Sequence, residues 1–116
     1  MNTIYCLVPG PYWALYKDKD EYVPRDYEEE GFIHATKGDD LLARVTKRVY
    51  AAHEGELLLL VIDESRVRSE VKYEQASDGN LYPHIYGPLN TDAIAEIREM
   101  VKGVDGLWQI GAVTGR

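Results

Sequence analysis

Six apolar residues in succession, Leu57-Leu58-Leu59-Leu60-Val61-Ile62, stand between Glu56 and Asp63 and form the longest strongly hydrophobic run of the chain. A bilayer-spanning helix needs about 20 such residues, so this run does not cross a membrane. It shows no polar–apolar alternation, and a strand built from it must be covered on both faces. It therefore belongs at the centre of a sheet. The 116 residues around it match the usual size of one domain, and residues 1–116 are read as a single unit.

The flanking segments supply partners for that strand. Residues 4–8 are β-rich and stop at Pro9-Gly10-Pro11, where fixed φ angles and missing amide donors break a ladder. Trp13, Ala14 and Tyr16 permit a short helix over 12–19, and the acidic stretch 18–30, punctuated by Pro24, reads as irregular surface. In Gly31-Phe32-Ile33-His34-Ala35-Thr36 an extended chain places Phe32, His34 and Thr36 on one side and Ile33 and Ala35 on the other. Leu41, Leu42, Val45, Val49 and Ala52 recur at helical spacing and predict a helix over 39–52, with Asp39 and Asp40 at its positive end and Lys47 and Arg48 toward its negative end. Gly55 can take the left-handed stop conformation after it.

Residues 67–75 alternate as a half-buried strand, Ala76-Ser77-Asp78-Gly79-Asn80 has hairpin-loop chemistry, and 81–86 pairs back. Residues 94–101 suit a helix and an edge of sheet equally well. Leu107-Trp108-Gln109-Ile110 reads as a last short strand, with fraying from Gly111 to Arg116.

A net charge of −7 argues against duplex nucleic acid or an anionic membrane as the main partner, because phosphate binding depends on a basic face. Cys6 is the single cysteine and cannot close an intramolecular disulfide. The N-terminal residues lack the basic and long apolar regions of a signal peptide, so a reducing cytoplasm is the expected compartment.

Of the three histidines, His53 beside Glu54 reads as a solvated helix-end residue. His34, flanked by Phe32 and Ile33, is either a hydrogen-bonded core histidine or faces a cleft. His84 lies in Tyr82-Pro83-His84-Ile85-Tyr86-Gly87-Pro88, where two prolines and a glycine either hold polar tips at a ligand or mark a kinked strand end. Nine tyrosines against one phenylalanine offer stacking faces for a nicotinamide or a base, and equally suit half-exposed strands. Cys6 lies between Tyr5 and Leu7 on an apolar strand, which disfavours a thiolate activated by His34 or His84. The spacing of Cys6, His34 and His84 matches no metal-ligand motif, and no Walker, GxGxxG, GxSxG or HExxH pattern occurs.

Ile4-Tyr5, Gly31-Phe32-Ile33-His34, Leu59-Leu60-Val61-Ile62-Asp63 and Tyr82-Pro83-His84-Ile85-Tyr86-Gly87-Pro88-Leu89 occur in this order. Together they closely resemble the domain-of-unknown-function 952 (DUF952) family of small bacterial proteins, over residues 3 to 98. That family is grouped by fold similarity with the ADP-ribosyltransferases, and its layout is similar to the catalytic half of RNA 2′-phosphotransferase, which uses NAD to remove a splice-junction phosphate. The resemblance implies an α+β domain with a split, mostly antiparallel sheet and two helices. It also implies a small-molecule nucleotide, NAD or ADP-ribose, as ligand and a transferase as the activity.

Carried onto this chain, the resemblance places Tyr5-Cys6 where relatives have a strand ending in His-Gly-Thr, and His34 with Thr36 where they have His-Leu-Ser. Cys6 thus replaces a histidine that helps hold the adenosine ribose. The phosphate-binding arginines have no clear match, and Arg44 and Arg48 are the available cations. Glu74 matches by position the residue near the nicotinamide ribose. NAD cleavage passes through a positively charged sugar that a carboxylate stabilises. The implied catalytic residues are His34, His84 and Glu74; the implied ligand contacts are Tyr5, Cys6, Thr36, Arg44 and Tyr86. The competing expectation is a non-enzymatic binding or interaction module that keeps the fold without the reaction.

Overall fold

The computed structural model describes residues 1–115. Along the chain run β1 (Thr3–Pro9), α1 (Gly10–Trp13), β2 (Glu21–Tyr22), α2 (Tyr27–Glu30), β3 (Ile33–His34), α3 (Asp39–Val49), β4 (Leu57–Asp63), β5 (Glu70–Gln75), β6 (Leu81–Tyr86), β7 (Leu89–Asn90), β8 (Ile94–Lys102) and β9 (Trp108–Gly115). The apolar run is β4, and it lies inside a four-stranded antiparallel sheet of order β1-β4-β8-β9.

Period-two geometry sends the side chains of β4 to two different cores. Leu58, Leu60 and Ile62 join Ile4, Cys6 and Val8 of β1 in the larger cluster, together with Ile33, Ile85 and Leu89 from the other sheets. Leu57, Leu59 and Val61 join Leu42 of α3 and Met100 of β8 on the opposite face, with Tyr5, Leu7 and Trp108 at the margin. Six successive residues of β4 are buried, as the lack of alternation requires.

A second antiparallel sheet has the order β3-β6-β5, and β2 pairs with β7 as a short ribbon. The two larger sheets meet where Tyr5 and Thr36 exchange backbone hydrogen bonds of 2.8 and 2.9 Å. The result is an α+β domain with antiparallel sheets and few helices.

Several boundaries differ from the sequence reading. The segment at 39–52 is helical only to Val49: its buried face centres on Leu42 and Thr46, while Val49, 67% exposed, and Ala52 at the end of the apolar stripe are left in solvent. Helix α1 spans four residues and starts at Gly10, with turns in place of helix up to Lys19. The acidic stretch expected to be irregular holds β2 and the single-turn α2, so the described residues have three α-helical segments rather than two, besides 3-10 turns at Glu64–Arg66 and Thr91–Ala93. The strand at 31–36 contracts to two residues plus the bridge at Thr36, and the strand expected from 67 begins at Glu70, because the Arg68 amide is taken by Asn90 Oδ1 at 2.9 Å. Residues 94–102 are strand, settled by pairing with β4, a contact remote in sequence. Residues 111–115, expected to fray, continue β9 along β8; Arg116, the last residue of that expectation, lies outside the described residues. Among the described residues no helix is long and apolar enough to cross a membrane.

Candidate functional site

The register of β3 against β6 sets His34 directly opposite His84. Residues paired in this way present their side chains on the same face. The two imidazole centroids lie 5.4 Å apart at an interplanar angle of 78°. Phe32, two residues before His34 and on the same side of the chain, stacks on His84 at 4.2 Å and 22° and meets His34 edge-on at 4.8 Å. His84 is held in a nearly enclosed position, with 14% of its side chain exposed, whereas His34 is 62% exposed.

Each imidazole has its own carboxylate. His84 Nδ1 bonds Glu74 Oε1 at 2.8 Å, and the Tyr86 hydroxyl donates to that same oxygen. The Tyr86 bond, followed by the His84 bond, holds the Glu74 carboxyl below its ordinary range, and bonding to Glu74 raises the Tyr86 hydroxyl. The Lys72 ammonium lies 4.9 Å from the centroid of the Tyr86 ring. His34 Nε2 bonds Glu30. Glu30 returns to the site because Gly31, at φ 80°, ends α2 in the left-handed conformation and turns the chain back toward β3.

Glu30, Phe32, His34 and His84 line a cleft of about 890 Å³ together with residues of β1 and the end of α3, while Glu74 and Tyr86 stand behind His84 and do not line it. The lining holds His34, His84 and Phe32 together with Arg48, Tyr50 and His53. His53, read as solvated, packs its ring between Tyr50 and Trp108. Arg48 and Arg44 both reach Asp78 in the β5–β6 turn, at 3.4 and 2.9 Å. Asp78 also accepts from the Tyr82 hydroxyl at 2.7 Å and the Asn80 amide at 2.9 Å. Its side chain is only 3% exposed, and the Tyr82 hydroxyl, then the Asn80 amide, hold its carboxyl far below the ordinary range.

Of the residues singled out from the sequence, His34, His84, Glu74 and Tyr86 come together, and Tyr5, Cys6 and Thr36 line the same cleft as the two histidines. Thr36 is buried and its backbone joins the two sheets. The Tyr5 hydroxyl donates to Asp39 at 2.9 Å. Cys6 is buried in the larger core, its thiol donates to the His34 carbonyl at 3.4 Å, and burial pushes its pKa up to about 12. A thiol so placed is inert. Arg44 is directed to Asp78 and does not line the cleft. Sequence reasoning missed Glu30, Asp78 and the stacking role of Phe32. A carboxylate four residues before a histidine was the available signal for Glu30, and the cluster of polar turn residues was the signal for Asp78. Among the described residues no three His, Cys, Asp or Glu side chains converge as a metal site.

Fold and site together define a small α+β domain in which two antiparallel sheets present a pair of carboxylate-bound imidazoles to a cleft. The profile of the family described as "Protein of unknown function (DUF952)" matches residues 7–97, and the chain belongs to that family. The crystal structure of protein CC0527 from Caulobacter crescentus superposes with a TM-score of 0.81 at 21% identity, covering 92% of this chain and 93% of that one. Its solution NMR structure gives a TM-score of 0.78 at the same identity, over 94% and 93% of the two chains. This likeness is one of fold. A search of proteins of curated function finds no match.

Proposed function

We propose that the cleft binds a nucleotide of the NAD or ADP-ribose class. The observation that carries this reading is the presence, in the lining of one cleft, of a stacked aromatic–imidazole wall, Phe32 on His84, together with Arg48. A base or nicotinamide ring suits the first surface and a diphosphate the second. The cleft volume of about 890 Å³ falls within the range of about 300–1,000 Å³ usual for small-molecule sites. The separation of the antiparallel strands into two sheets beside the cleft supports an ADP-ribosyltransferase-like reading of the fold.

Catalysis of the relatives' type is a separate matter. Cys6, at the position where those relatives place a ribose-holding histidine, is buried and bonded to a backbone carbonyl. That observation favours a second reading, in which the fold binds without transferring ADP-ribose. Incubation with NAD followed by chromatography separates the two: sustained release of nicotinamide supports a transferase, and intact NAD supports binding alone.

Binding itself is tested by thermal unfolding of the wild type and His84→Ala with NAD, ADP-ribose and AMP. A ligand at ten times its dissociation constant stabilises the native state by about 1.4 kcal/mol, which raises the midpoint by about 6 °C for a domain of this size. A shift in the wild type that disappears in His84→Ala supports the site. No shift with any of the three ligands refutes it.

A further inference from the structure

We propose that His34 and His84 are a general acid–base pair that hydrolyses a phosphodiester of a nucleotide bound in the cleft, with Glu30 and Glu74 as positioning residues. This rests on the nucleotide reading of the cleft and adds a reaction to it. The two imidazoles sit opposite one another on paired strands with centroids 5.4 Å apart, close enough for each to reach a different oxygen of one phosphate.

Their tethers are of opposite kind. Glu74 takes His84 at Nδ1, leaving Nε2 for a substrate, whereas Glu30 takes His34 at Nε2, leaving Nδ1. A carboxylate only accepts hydrogen bonds, so each bound nitrogen carries its proton and the tautomer is fixed. Glu74 accepts the Tyr86 hydroxyl at the same oxygen, which fixes the carboxylate and through it the His84 ring. His84 is enclosed, with 14% of its side chain exposed, whereas His34 is 62% exposed. In the proposed reaction the enclosed His84 is the base and His34, which solvent can reprotonate, is the acid. Both carboxylates are committed to imidazoles, so the mobile protons of the site sit on nitrogen, an arrangement suited to an in-line displacement at phosphorus.

In the step, a water oxygen bonds to phosphorus while its proton passes to His84 Nε2. The bond from phosphorus to a ribose oxygen breaks, that oxygen keeps the electron pair, and His34 Nδ1 supplies its proton. A nucleoside 2′,3′-cyclic phosphate plus water becomes a nucleoside monophosphate, and solvent resets the two imidazoles. Arg48, which lines the same cleft, is the cation available to the non-bridging oxygens.

The test is hydrolysis of 2′,3′-cyclic AMP followed by chromatography, with AMP-induced thermal shift measured in parallel. The wild type should turn over, and His34→Gln and His84→Gln should each lose about 10²–10⁴ in kcat/KM, the usual contribution of one general acid or base. Glu74→Gln should lower kcat with KM little changed, and Glu74→Asp should recover part of the loss, which a purely structural role would not produce. This variant also keeps the proposal testable if a histidine substitution unfolds the chain. Turnover unaffected by these substitutions, or an AMP shift without turnover, overturns the acid–base pair; the second leaves the nucleotide cleft standing. Absence of both shift and turnover overturns both readings.

Discussion

Leu60→Ala is expected to be among the most costly single truncations in the chain. Leu60 is fully buried, it is placed on the inner strand β4 between Cys6 of β1 and Ile97 of β8, and its side chain enters the larger core. With neighbours fixed on both strands, the site cannot collapse around a smaller residue, and truncations of this kind cost about 2–5 kcal/mol. The entropy of unfolding near 60 °C is about 2.1 cal/mol/K per residue, or about 0.24 kcal/mol/K for a chain of this size. The midpoint should therefore fall by about 8–20 °C. Thermal unfolding followed by circular dichroism reads this directly, with a urea titration to check that the m value is unchanged. Val101→Ala, at a residue 52% exposed on β8, serves as the control and should move stability by less than about 0.5 kcal/mol. A Leu60→Ala shift below about 3 °C, or one no larger than the control, would refute the placement of β4 between two cores.

Cys6 should resist iodoacetamide in the native state and react in urea. Its thiol is raised from about 9 to about 12 on folding, so the unfolded chain ionises first and stability should fall above pH 9 by about 1.4 kcal/mol per pH unit, with no contribution from this group below it. Glu74 and Asp78 are shifted the other way: each contributes stability above the unfolded pKa of its carboxyl and loses it as the pH falls through the lowered folded value. Asp78→Asn should flatten the acid limb of a urea-midpoint profile taken from pH 6 to 2. Gly87 has φ 147°, and a Cβ there would lie 2.4 Å from Ser69 Oγ, which is itself held by the Pro88 carbonyl at 2.7 Å. Gly87→Ala should lower stability by about 1–3 kcal/mol in the same titration.

How far the sequence speaks depends on the range of the forces involved. β4 was legible because six apolar residues in succession admit few other environments. His34 and His84 were legible as candidates because rigid or apolar neighbours frame them. Their direct opposition was not, since it depends on the register of β3 on β6, between histidines fifty positions apart in sequence. Glu30 was hidden by its acidic neighbours: only the turn at Gly31 distinguishes it from Glu28 and Glu29. Residues 94–102 carried a pattern compatible with two periods, and pairing with β4 decided between them. β9 looked too short because Gly111 and Gly115 weaken local strand preference, while β8 supplies a ladder for it. Arg44 was legible as an available cation on the helix after His34, but sequence offered no sign that Asp78 would take it.

That shared carboxylate makes the fastening of helix α3 to the β5–β6 hairpin redundant. A buried carboxylate stripped of its only cation is a heavy liability, and a guanidinium held by one partner is slow to change allegiance. Here Asp78 has two guanidinium partners, and the nearer, Arg44 at 2.9 Å, lies outside the cleft lining. Arg48, the farther at 3.4 Å, is the one that borders it. Loss of the Arg48 contact alone therefore leaves Asp78 compensated by Arg44 and the Tyr82 hydroxyl, and the helix and the hairpin stay fastened.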